Sequence, residues 1–233
     1  MATPRRIAIC PYHSFIEPAC ERSLRALEAA GWVVWRRPGS AAIDRERSRL
    51  ATAALEEGYE ALLWVDSDQE FEPDSAERLD EHALPFVSAL IARRGARDFA
   101  CVFQPETEQV GVGTAGGLLA VKYVGAGFVL VRRGAFETVQ KHFALPRVAD
   151  PAGAIVPYYL PMVTEVASGQ LGYLGEDYAF CERLRRAGVP VLVDTSLRVG
   201  HIGQHTYHWE DVIQEHTHVD SAEVSLRKKP SAP

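Results

Sequence analysis

Ala61-Leu62-Leu63-Trp64-Val65-Asp66-Ser67-Asp68 is the stretch on which the fold turns. Five consecutive apolar residues read as a strand buried on both faces, and two carboxylates arrive at its C-terminal tip. Open α/β sheets place their ligands at that end of the strand. Asp66 and Asp68 lie two apart, so a chain still extended through Ser67 would point both side chains the same way, toward one hard divalent cation and a diphosphate held against it. The competing reading is an ordinary strand-ending turn, because Asp and Ser readily hydrogen-bond their own backbone.

Working outward, residues 6–10 read as a first strand. Glu17-Pro18 opens a helix over 19–30 that Gly31 closes, 32–35 is a second strand, and 43–57 a second helix. With residues 61–65 this is a βαβαβ start, which predicts an α/β fold with a mainly parallel, right-handed sheet. Downstream, Pro73-Asp74 opens a helix extending to about residue 93, and 99–103 is a strand. Residues 104–117 read as a polar, Gly-rich excursion, and 118–131 as two strand pieces around Gly125-Ala126-Gly127. A helix over 133–142 precedes a Pro- and Gly-rich loop, 144–172, long enough to be functional or mobile. A helix over 176–187, closed by Gly188, and a short strand at 190–194 follow.

At 233 residues, 47% hydrophobic and with a net charge of −6, the chain is a globular protein whose balance argues against general affinity for nucleic acid. It has no apolar run of the roughly 18–20 residues that span a bilayer, and residues 1–6 lack a signal-peptide core, so a cytoplasmic location is expected. Cys10, Cys20, Cys101 and Cys181 are scattered and suggest neither a disulfide framework nor a zinc knuckle. His205, His208, His216 and His218 lack the His-Glu-x-x-His pattern of a zinc hydrolase. Arg227-Lys228-Lys229, followed by Pro230-Ser231-Ala232-Pro233, reads as a solvated tail.

Three further motifs surround the acidic strand tip. Arg47-Ser48-Arg49 precedes it. Gly175-Glu176-Asp177-Tyr178 opens the Arg-rich helix, and Val199-Gly200-His201-Ile202-Gly203 follows the last short strand. In this order they resemble the GT-A fold, and are similar to glycosyltransferase family 2 in its small bacterial and phage-type members, over about residues 5–203. The resemblance implies a Rossmann-like catalytic domain at 1–203 and a C-terminal tail at 204–233, a candidate acceptor-side lid. It implies that Asp66, Ser67 and Asp68 meet the donor, and that Asp66, Asp68 and His201 hold Mn²⁺ or Mg²⁺. Asp177 becomes the general base of an inverting transfer, with Glu176 orienting the acceptor or its loop. Arg47 faces the nucleotide, although Ser48 stands where the family usually has Asn. Pro11 and Tyr12 receive the nucleobase, Tyr12 stacking on uracil, and Gly125, Ala126 and Gly127 lie at the donor sugar. The expected activity is transfer of a hexose from a nucleoside diphosphate sugar, UDP-linked, to a hydroxyl acceptor that the sequence does not identify.

Each motif also has a plainer reading. Acids in a first helical turn favour the helix dipole, an Arg can sit on a solvated face, a Gly-x-Gly can mark a bulge, and a His beside glycines can serve a turn. A sugar nucleotidyltransferase would need a Gly-rich basic loop after the first strand, which Cys10-Pro11-Tyr12-His13 does not supply. A non-catalytic nucleotide-sugar-binding module is the other alternative, since folds outlive activities.

Overall fold

The computed structural model describes residues 5–39, 41–151, 153–167, 169–215 and 217–226. Arg227-Lys228-Lys229, the final Pro-Ser-Ala-Pro and His216 lie outside the described residues. Strands β1 (Arg6–Tyr12), β2 (Val33–Pro38) and β3 (Ala61–Val65) alternate with helices α1 (Pro18–Ala29) and α2 (Ile43–Glu56). β1 pairs in parallel with β2 on one side and with β3 on the other. The chain therefore winds one way, then returns past its start, and that reversal opens a crevice at the C-terminal ends of β1 and β3.

The rest of the chain comprises β4 (Gln69–Glu70), α3 (Pro73–Glu81), β5 (Phe86–Ala89), β6 (Cys101–Phe103), β7 (Gln109–Gly113), β8 (Leu118–Val124), β9 (Phe128–Arg132) and α4 (Arg133–Phe143). Then come β10 (Met162–Ala167), β11 (Gln170–Leu174), α5 (Glu176–Arg186), β12 (Leu192–Asp194), β13 (Gly200–Ile202), β14 (Thr206–Tyr207), α6 (Trp209–Ile213) and β15 (Ser221–Ser225). The main sheet has the order β2-β1-β3-β9-β5-β12-β8-β6. Six of its eight strands run in one direction, while β9 and β8 are reversed against their neighbours.

Alternation along the strands separates two apolar layers. Ile7, Ile9, Leu62 and Trp64 face the layer that holds Leu50 and Ala54 of α2 with Phe136 of α4 and Phe180 of α5. Ala8, Cys10, Leu63 and Val65 face the layer that holds Leu24 and Leu27 of α1 with Leu79 of α3. A sheet covered on both faces needs strands that are apolar throughout, and β3 is buried at all five positions. All four cysteines are free and buried.

The structure corrects the sequence reading in three places. The helix expected from 73 to about 93 stops at Glu81; Ala83 takes φ 53°, and Phe86–Ala89 becomes β5, buried at every position. Pro85 carries the physical reason, since the residue before a proline is turned out of helical conformation. The excursion at 104–117 contains β7, and the loop at 144–172 contains β10 and reaches β11, an antiparallel hairpin. The described residues past 203 dock on the rest of the chain. β15 pairs with β7, and Trp209, only 7% exposed, is packed into the α2–α5 layer.

Candidate active site

Four elements converge on the crevice. Tyr12 ends β1, Arg47 projects from α2, Asp66 follows β3, and Glu176 opens α5; together with Pro11, Ser67 and Asp68 they line a cleft of about 340 Å³. Arg47 is 2% exposed. Its Nη2 donates to Asp66 Oδ1 at 2.5 Å, its Nε stands 3.6 Å from Glu176 Oε1, and its guanidinium lies 5.3 Å over the Trp64 ring. Burial alone would lower the Arg47 pKa, but Asp66 and Glu176 hold it raised and the cation is kept. Arg45 and Arg49, its neighbours in sequence, pair elsewhere, with Asp150 and Glu46.

Residues 66–69 form a turn, Gln69 N–H donating to Asp66 O at 3.1 Å, so the chain is not extended through Ser67. The two acids consequently diverge. Asp66 leans on Arg47, whereas Asp68 Oδ2 meets Arg94 Nη1 at 3.0 Å and His201 Nε2 at 3.5 Å. This corrects the expectation that both point one way; among the described residues no group of three His, Cys, Asp or Glu side chains is gathered as a metal site. The Asp68–His201 pair is nonetheless suited to a cation. His201 Nδ1 lies 2.9 Å from the Ala92 carbonyl, which can only accept, so Nδ1 carries a proton and the ring is held with Nε2 facing the Asp68 carboxylate. Burial alone would push the Asp68 carboxyl up, but His201, Arg94 and Gln69 together hold it below the usual range.

The strands position these groups with backbone contacts. Asp66 N–H donates to Gly127 O at 2.9 Å, and Ile202 N–H to Asp68 O at 2.8 Å, tying β9 and β13 to the acidic turn. At Gly127 a Cβ would stand 3.0 Å from Ile91 Cδ1 and 3.3 Å from Gln69 Nε2, so the chain passes where a side chain would crowd. A Cβ at Gly125 would stand 3.7 Å from Asp177 Oδ2 and 3.4 Å from Ala100 Cβ. Ala126 is 8% exposed.

Asp177 begins α5 beside Glu176. Its carboxyl is pushed up to about 6, first by burial and then by the Glu176 charge, against the hydrogen bond from Tyr178 N–H at 2.7 Å and the pull of Arg47. A carboxylate of that basicity accepts a proton near neutral pH. Arg94 is a residue that sequence reasoning missed; its only signal was an Arg-rich run, 93–97, next to no recognised motif. The tail histidines serve local structure: His205 pairs with Asp211 and His218 with Glu210.

No protein-family model matches the chain, and no curated protein matches it. Among solved structures it is similar to A197 from STIV, at 14% identity and TM-score 0.53, over 98% of this chain and 97% of that one. It is similar also to GalNAc-T7, solved with UDP, GalNAc and Mn²⁺, at 12% identity and TM-score 0.53, over 87% of this chain and 44% of that one. The chain thus spans less than half of GalNAc-T7. The fold is of the GT-A glycosyltransferase type.

Proposed function

We propose that the protein is a glycosyltransferase that moves a hexose from a nucleoside diphosphate sugar, UDP-linked, to a hydroxyl acceptor with inversion. The observation that carries this reading is Arg47, a buried cation engaging both Asp66 at the strand tip and Glu176 at the helix opening. Two acidic motifs about 110 residues apart in sequence thus share one cleft with Tyr12. Tyr12 and Pro11 receive the base, and Gly125, Ala126 and Gly127 leave room for the sugar. Asp177 takes the proton from the acceptor hydroxyl as its oxygen bonds to the anomeric carbon and the bond to the diphosphate breaks. Glu176, fixed against Arg47, holds the turn that aims Asp177.

Asp68 and His201 are the residues that would hold Mn²⁺ or Mg²⁺, a carboxylate and an imidazole that suit such an ion, and Asp66 would join them only by leaving Arg47. When bound, it would offset charge on the departing diphosphate. GalNAc-T7, with its UDP and Mn²⁺, supports the same donor chemistry here. Calorimetric titration with UDP, in Mn²⁺ and in chelator, tests the reading: metal-dependent binding is expected, and no binding in either condition would sink it. An Asp177→Asn protein is expected to bind UDP normally and to transfer no sugar.

A further inference from the structure

Arg94 holds an acid that a divalent ion would need. Its Nη1 donates to Asp68 Oδ2 at 3.0 Å and to Ile202 O at 3.4 Å, while Asp68 Oδ1 accepts from Gln69 Nε2 at 3.2 Å. His201 Nε2 faces that same Oδ2 at 3.5 Å. An ion held by Asp68 and His201 therefore competes with the Arg94 guanidinium for one carboxylate oxygen, and two cations so close repel each other. An arginine fixed on Asp68 would only weaken the pair as a metal site.

The two arginines on the strand-tip acids differ in what they can do. Arg47 is 2% exposed and shared between Asp66 and Glu176, so moving it would leave a buried charge unpaired. The Arg94 side chain is 52% exposed, and an ion pair in that setting is weak. Its backbone is fixed, because Arg93 N–H donates to Asp98 O at 2.9 Å, Ala100 N–H to Ile91 O at 2.8 Å, and Ala92 pairs with Phe99; only side-chain torsions need change. Its bonds to Asp68 and Ile202 both use Nη1, so the rest of the planar fork is left to face an anion. Asp68 lines the cleft with Tyr12 and Glu176, and a guanidinium released from it stays at the cleft's edge. We propose that Arg94 is a diphosphate-binding residue that changes partner: a divalent ion takes Asp68 Oδ2, and Arg94 turns onto oxygens of the donor diphosphate that the same ion meets. The charges balance, since a sugar-linked diphosphate is a dianion and Asp68 an anion, against a divalent ion and one guanidinium. The phosphate role rests on the glycosyl-transfer reading; the competition for Asp68 rests on the geometry alone.

The test measures Mn²⁺ and UDP separately on the full chain, with Arg94→Gln and Arg94→Lys beside wild type. Mn²⁺ alone, followed by loss of the free-ion electron-spin signal, is expected to bind Arg94→Gln about threefold more tightly than wild type, because Asp68 is released. UDP in saturating Mn²⁺ is expected to bind Arg94→Gln about tenfold more weakly by calorimetry, with Arg94→Lys recovering part of the loss. An arginine that only supports the fold would move both affinities down together. Equal or weaker Mn²⁺ binding in Arg94→Gln overturns the exchange, as does UDP binding equal to that of wild type. If Mn²⁺ binding tightens but UDP fails to bind even wild type, the donor reading fails and takes the phosphate role with it, while the competition for Asp68 stands.

Discussion

Asp177 is held between two demands. Burial and the adjacent Glu176 push its carboxyl up to about 6, so below that pH it already carries the proton it must accept. Transfer is therefore expected to rise with pH and level off above about 6, and a pH-rate profile that is flat from 5 to 8 would remove Asp177 from the role. The same shift has a stability consequence. A carboxyl whose folded pKa exceeds its unfolded value contributes stability fully present below about 4 and lost as pH rises through about 6. Asp177→Asn is thus expected to abolish transfer yet to gain on the order of 1–3 kcal/mol over wild type at pH 8, with little gain at pH 4, in urea unfolding. At Asp68 the prediction concerns affinity. Asp68→Asn, and separately His201→Ala, are expected to weaken Mn²⁺-dependent UDP binding about 10- to 100-fold and leave binding in chelator unchanged. Calorimetry that finds the two variants equal to wild type in Mn²⁺ removes the pair from the metal's coordination.

Among the elements, β15 and β7 depend on one glycine. Gly113 takes φ 64°, and a Cβ there would stand 2.0 Å from the Asp220 carbonyl, while its own N–H reaches Thr195 O at 3.1 Å. Gly113→Ala is expected to cost about 1–3 kcal/mol and to loosen the β7–β15 pair. Hydrogen exchange should find Val110 and Val112 amides less protected; unchanged protection would mean that the backbone absorbs the side chain. Elements with a strong local pattern were legible in the residues themselves: β3, α2 and α5 fall where their apolar runs, opening acids and closing glycine predict. The failures were elements whose apolar run is short. Phe86–Ala89 extends the periodicity of α3 and reads as more helix until Pro85 is given its weight. β7 has only five residues, two of them Gly, and exists because β15, about a hundred residues later, supplies its partner.

At the scale of the molecule, the chain past residue 203 belongs to the folded body. Trp209 is buried as part of the larger apolar cluster, its indole N–H donates to Val219 O at 3.4 Å, and Arg198 lies 4.9 Å over its ring while bonding Glu210 at 2.7 Å. Trp209→Ala is expected to cost about 3–5 kcal/mol, and a chain ended at Gly203 to lose cooperative thermal unfolding, since it would bare the β7 edge and the Trp209 pocket together. A truncated protein that melts like wild type would show 1–203 to be an independent domain. No helix among the described residues is long and apolar enough to cross a membrane.

The sequence by itself determined the layered α/β architecture and the placing of the acidic residues at a strand's C-terminal tip, because alternating apolar runs and helix punctuation are local signals. It also determined which residues carry charge at the strand tip and helix opening. Tertiary structure decided the rest. It inserted the reversed strand β9 between β3 and β5, folded Asp66-Ser67-Asp68 into a turn that sends its two acids to different partners, and set Arg47 between Asp66 and Glu176. Pairing order, side-chain divergence and the sharing of a buried cation all depend on groups distant in sequence, whose competition for one space only the packed chain resolves.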